Sequence, residues 1–105
     1  MIVGNLPKAK GKGVRKVEVN TARGPAADVS VPAGSTADFT ISISPELENV
    51  DSVKVTKVSG LPANVLAVQV DWSATSVTLR AVNPTASAIT IAAGSITITY
   101  ELIGW

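Results

Sequence analysis

The chain contains no cysteine and no histidine. Without thiols it can form neither a disulfide framework nor a thiolate metal site. Without imidazoles it lacks the commonest zinc ligand and the usual general base of a hydrolase. Aromatic residues are nearly as scarce, with Phe39, Trp72, Tyr100 and Trp105 the complete set. Such a chain has little to line a deep pocket, so the core it predicts is thin, with Phe39, Trp72 and Tyr100 as its largest fillers. No apolar run reaches the length of a membrane span, and the opening Met1-Ile2-Val3-Gly4-Asn5 is too short in apolar residues for a secretory signal. The expectation is a chain made in a cytoplasm, with no membrane partner and no cofactor.

What is present suits a pleated surface. Val, Ala, Ile, Ser and Thr dominate a chain of 105 residues, enough for one two-layer domain. Three runs between Val65 and Leu102 alternate strictly. The first sets Leu66, Val68, Val70 and Trp72 on one face and Ala67, Gln69 and Asp71 on the other, which predicts a strand with the apolar row turned inward. The second sets Val77, Leu79 and Ala81 against Thr78 and Arg80. The third sets Ile96, Ile98, Tyr100 and Leu102 against Thr97, Thr99 and Glu101. Ser73-Ala74-Thr75 and Asn83-Pro84-Thr85 separate them as chain-reversing segments.

Upstream, Phe39, Ile41 and Ile43 alternate with Thr40 and Ser42, and Val53 and Val55 with Lys54. Val58 is out of phase with its predecessors, which predicts a bulge near Thr56-Lys57 or an early exit of the strand. Pro32-Ala33-Gly34-Ser35 and Ala92-Ala93-Gly94-Ser95 read as similar turns rather than as a duplicated unit. Seven or eight short strands with no helical period predict an all-β, antiparallel sandwich of the jelly-roll or Ig-like kind over residues 26–105.

The net charge of +1 conceals an asymmetry. Residues 1–25 hold six cations, Lys8, Lys10, Lys12, Arg15, Lys16 and Arg23, against Glu18 alone, a net of +5; the remainder holds three cations against seven carboxylates, a net of −4. Residues 1–13 mix glycine, proline and lysine and cannot bury enough apolar surface to order themselves. Residues 1–25 therefore read as an extended basic arm, with Val17 and Val19 in a possible edge strand whose charges guard it from strangers. The arm could dock on an acidic protein surface, contact nucleic acid, or serve as a solvated tail. Nucleic acid is disfavoured, because the run has no aromatic residue for stacking and the body is not basic. Ile103 faces away from Leu102, and Trp105 is an indole at the end of the sequence; both are candidate subunit contacts, or else pack on their own domain.

Catalytic arrangements fare poorly. The many hydroxyls have no base to activate them. Glu46, Glu48 and Asp51 share one loop and could hold a hard cation, but they lack the glycine and the spacing of a calcium loop, and a solvated acidic turn is the favoured reading.

Read together, Val31-Pro32-Ala33-Gly34-Ser35-Thr36-Ala37-Asp38-Phe39-Thr40-Ile41, Asp51-Ser52-Val53-Lys54-Val55, Leu61-Pro62-Ala63-Asn64-Val65 and Ser76-Val77-Thr78-Leu79-Arg80-Ala81-Val82-Asn83-Pro84-Thr85 resemble small β-sandwich modules of tailed-phage virion proteins. That group includes head decoration (cement) proteins and the distal modules of head or tail fibres. The resemblance implies a non-enzymatic homotrimer made in the host cytoplasm and carried on the outer capsid surface of the virion. Its partner would be the major capsid protein, with the arm (Lys8, Lys10, Lys12, Arg15, Lys16, Arg23) reaching across capsid subunits. The alternative within the group is a tail-fibre or baseplate module that binds a host receptor or glycan. A sequence opening on Met1 favours the head protein over a module of a longer fibre.

Overall fold

The structure, a computed structural model, describes residues 15–105. Every regular element in that range is a strand: β1 (Lys16–Gly24), β2 (Val29–Val31), β3 (Ser35–Ser42), β4 (Val50–Ser59), β5 (Leu66–Trp72), β6 (Ser76–Asn83), β7 (Ile89–Ile91) and β8 (Ile96–Gly104). All pairings are antiparallel. One sheet runs in the order β1-β8-β4 and a second in the order β3-β6-β5, while β2 and β7 form a separate two-stranded ribbon. The two larger sheets face one another as a sandwich, with β1 against β3 and β4 against β5.

The core is the set of side chains that alternation turns inward. Val77, Leu79 and Ala81 of β6 meet Ile96, Ile98, Tyr100 and Leu102 of β8, with Phe39 and Ile41 of β3 beside them. Each side chain of this size contributes about 1.5–3 kcal/mol when removed from water, so the two central strands carry most of the hydrophobic stabilisation. Val31 and Ile91 extend the core under the ribbon. The bulge expected near Thr56-Lys57 is present, as a register shift between Val55 and Lys57 against β8.

The two similar turns occupy corresponding places. In each, the serine N–H bonds back to the carbonyl three residues earlier, Ser35 to Pro32 at 3.2 Å and Ser95 to Ala92 at 3.1 Å. Gly34 and Gly94 sit at φ of 62° and 70°, which favours a residue without Cβ. Their N–H groups reach the loops before β7 and β2: Gly34 donates to Thr85 at 2.9 Å and Gly94 to Pro25 at 2.8 Å. Exchanging β1, β2 and β3 for β6, β7 and β8 carries the β1–β8, β2–β7 and β3–β6 pairings onto one another, while the pairings of β4 with β8 and β5 with β6 fall outside this correspondence.

One expectation is overturned. The row Leu66, Val68, Val70 and Trp72 does not fill the core: these residues are 67%, 54%, 41% and 38% exposed. The register explains why. Ala67 lies opposite buried Ala81 and Gln69 opposite buried Leu79, so the inward face of β5 is the Ala67/Gln69 face. A register shift between Gln69 and Asp71 then brings Trp72 opposite Val77, at the end of the strand. Phe39 and Tyr100 are core fillers as expected, and Trp72 is not.

Candidate docking face and sheet edges

Lys8, Lys10 and Lys12 lie outside the described residues. The other members of the basic run are not gathered in one place. Arg15 ion-pairs with Asp51, and Lys16 lies opposite Gly104 at one end of β1. Arg23 stands at the other end, opposite Thr97. Seven residues of extended chain separate Lys16 from Arg23, about 23 Å.

The root of the basic run and the end of β8 share one pole of the sandwich. There the β4–β8 ladder continues past both strands, with Trp105 N–H donating to the Asn49 carbonyl and Asn49 N–H to the Trp105 carbonyl, each at 3.0 Å. Trp105 is half-buried. Ile103, also half-buried, lies between Val17 of β1 and Ser52 of β4. Together with exposed Val17 and Val19 it makes an aliphatic cluster on the outer face of the β1-β8-β4 sheet; Glu101 lies between Val19 and Lys54 on that face, and Lys57 follows on β4.

The edges of the sheets are treated differently. The open edge of β4 is closed by a side chain: Gln69 Nε2 donates to the Val53 carbonyl at 2.8 Å, and Gln69 Oε1 accepts the Val55 N–H at 2.7 Å. One amide thus stands in for a strand and ties the two sheets along their β4/β5 seam. On β1 the Thr21 N–H is taken by Asn20 Oδ1 at 2.8 Å, and on β5 the Trp72 N–H by Asp71 Oδ1 at 2.8 Å. The opposite seam, between β1 and β3, has a groove of about 320 Å³ lined by Arg23, Pro25, Asp28, Phe39, Thr40 and Ser42, among others.

Burial pushes the Tyr100 phenol above its usual range, a hydrogen bond from the Ser44 main chain opposes this, and the Glu18 carboxylate adds to it. Glu18 Oε1 accepts the Glu46 N–H at 3.0 Å, while Glu18 Oε2 is buried without a partner. A bidentate pair with Arg80, at 2.8 and 3.1 Å, holds the Asp38 carboxyl below its usual range. Among the described residues no three carboxylates converge, and Glu46, Glu48 and Asp51 do not form a cation cage.

Two features escaped the sequence reading. The exposed row on β5 was assigned to the wrong side, although the lone amide Gln69 within an apolar run was a usable signal. Asn83 is fully buried: its Nδ2 donates to the carbonyls of Val31, Pro32 and Ser87, and its Oδ1 accepts from the N–H and hydroxyl of Thr85. It anchors the β6–β7 corner. In the comparisons with known proteins, no family model, no curated protein and no solved structure matches the chain.

Proposed function

We propose that the protein is a non-enzymatic capsid decoration protein that attaches to the outside of a phage head and bridges capsid subunits. The observation that carries this reading is the grouping on one sheet of Val17, Val19 and Ile103, with Lys54 and Lys57 beside them and the root of the basic run at the same pole. Aliphatic side chains with two lysines and a single carboxylate, Glu101, among them suit a protein surface that is acidic on balance. The basic run adds reach. A segment that orders only on contact engages a wide area at modest affinity, and many copies on one lattice make the attachment strong. Self-association as a homotrimer through Ile103 and Trp105 belongs to the same reading.

The test is co-sedimentation of the purified protein with DNA-free phage heads at rising salt. Replacing Lys8, Lys10 and Lys12 by serine should lower occupancy and weaken its dependence on salt. Occupancy unchanged by the triple substitution would remove the arm from the account.

A further inference from the structure

We propose that residues 1–6 fold back beside β1 and cover the groove between β1 and β3, so that the protein on its own stores its basic arm along its own seam. The inference does not depend on the capsid reading.

The topology points to the segment before β1 as the occupant. β5 immediately precedes β6, pairs along its outer edge and closes the seam with β4 through the Gln69 amide. β1 is the counterpart of β6 in the exchange that relates the β1–β8 pairing to the β6–β3 pairing. The counterpart of β5 is therefore the stretch immediately before β1, beside its open edge. No strand of the described residues lies there, and the seam keeps a groove of about 320 Å³.

Reach and composition select residues 1–6. The described chain starts at Arg15, tied to Asp51 at the pole where β1 begins, and the groove opens at Arg23, about 26 Å further along the strand. Gly11-Lys12-Gly13 supplies permissive residues for a reversal at the first pole, and residues 1–10 can then extend back over about 33 Å. Met1, Ile2 and Val3 arrive over Phe39, Ile41 and Pro25, which are buried at the floor of the groove. Residues 1–6 hold Met1, Ile2, Val3 and Leu6 and no charged side chain, whereas residues 7–13 hold Lys8, Lys10 and Lys12 and no large apolar one. Removal of apolar surface from water favours this order along the seam. The Asn20 cap on Thr21 lies short of the groove, and contact through side chains does not need the main-chain group it covers.

Glu18 is an independent sign that a cation passes here. Its side chain turns toward the loop after β3, where Oε1 accepts the Glu46 N–H and Oε2 is buried without a partner. On the returning course Lys8 runs beside the first residues of β1, within a side chain's length of Glu18. An ammonium group is the kind of donor that satisfies such an oxygen.

Because the chain has no cysteine, introduced thiols report on this contact alone. In the full chain, Val3→Cys is combined with Thr40→Cys on the groove wall, or with Val68→Cys on the exposed row of β5 at the opposite edge. Under mild oxidation the first pair should close a disulfide within one chain on the order of tenfold faster than the second. Alkylation of Thr40→Cys alone by iodoacetamide should speed up roughly fivefold when Ile2→Asp and Val3→Asp are added, since aspartate does not stay in an apolar groove. Equal closure rates, or disulfides that join two copies instead of one chain, would overturn the inference. So would an alkylation rate that the two aspartate substitutions leave unchanged.

Discussion

The segment from β1 to β3 and the segment from β6 to β8 follow one plan, but they hold their corners by different chemistry. In the second, the corner after β6 is built on the buried amide of Asn83, which makes five hydrogen bonds. In the first, the corner after β1 has no buried polar side chain. Gly24 lets the chain approach Ile41, and exposed Asp28 accepts the Ala93 N–H at 2.8 Å. The seams differ in the same way. Where β4 meets β5 a side-chain amide joins the sheets, and where β1 meets β3 a groove remains. A shared topology therefore tolerates either an internal polar anchor or close backbone packing at the same point.

Substitutions that exchange these solutions test the contrast. The largest effect is expected at Asn83: Asn83→Ala should cost about 3 kcal/mol in denaturant unfolding, because carbonyls of Val31, Pro32 and Ser87 are left without a donor. Asp28→Ala in the other corner should cost under about 1 kcal/mol, since water can take over the exposed Ala93 N–H. Equal losses at the two positions would erase the distinction.

Gly24→Ala comes next. Its Cβ would stand 3.0 Å from Ile41 Cγ1, tight but relieved by a side chain that can shift, so about 1–2 kcal/mol is expected. Gln69→Leu should cost a similar amount by orphaning the Val53 carbonyl and Val55 N–H. Its distinctive readout is hydrogen exchange, with the Val55 amide losing protection before its neighbours.

The pH limbs sharpen the comparison further. Tyr100 has a raised folded pKa, so its contribution is complete below about pH 10, the unfolded value, and is lost as pH rises through the folded value. Tyr100→Phe should move the onset of alkaline unfolding to higher pH. Asp38 is the reverse and the smallest case. Its lowered folded pKa gives a contribution present above the unfolded value and lost as pH falls through the folded one. The pair with Arg80 is exposed and screened by solvent, so Asp38→Asn should leave the neutral-pH melting temperature nearly unchanged and only flatten the acid limb.

Much of this architecture was legible before any coordinates. β6 and β8 are central strands, and their buried faces follow directly from Val77 to Ala81 and from Ile96 to Leu102, because a strand with partners on both sides and a sheet above it has one inward row. β5 shows where the logic stops. Alternation separates two rows without saying which is inside, and on an edge strand the apolar row was outside because the facing edge of β4 needed an amide more than another methyl group. The Asn83 corner was read only as a turn, since burial of its side chain depends on β2, some fifty residues away in sequence. The candidate docking face was legible in its parts, Val17, Val19, Ile103 and the basic run, but not in its layout: β1 carries Arg15 and Lys16 to one pole and Arg23 to the other.

The central place of β8 has a consequence for how the molecule comes into being. On a ribosome the chain emerges from its N-terminus, yet β1 and β4 both pair with β8, which follows all the other strands of residues 15–105. Until residues 96–104 leave the exit tunnel those two have no ladder to join, and the β3-β6-β5 sheet has nothing to cover its inner face. The sandwich therefore closes only after β8 has followed the other seven strands into reach of β1 and β4.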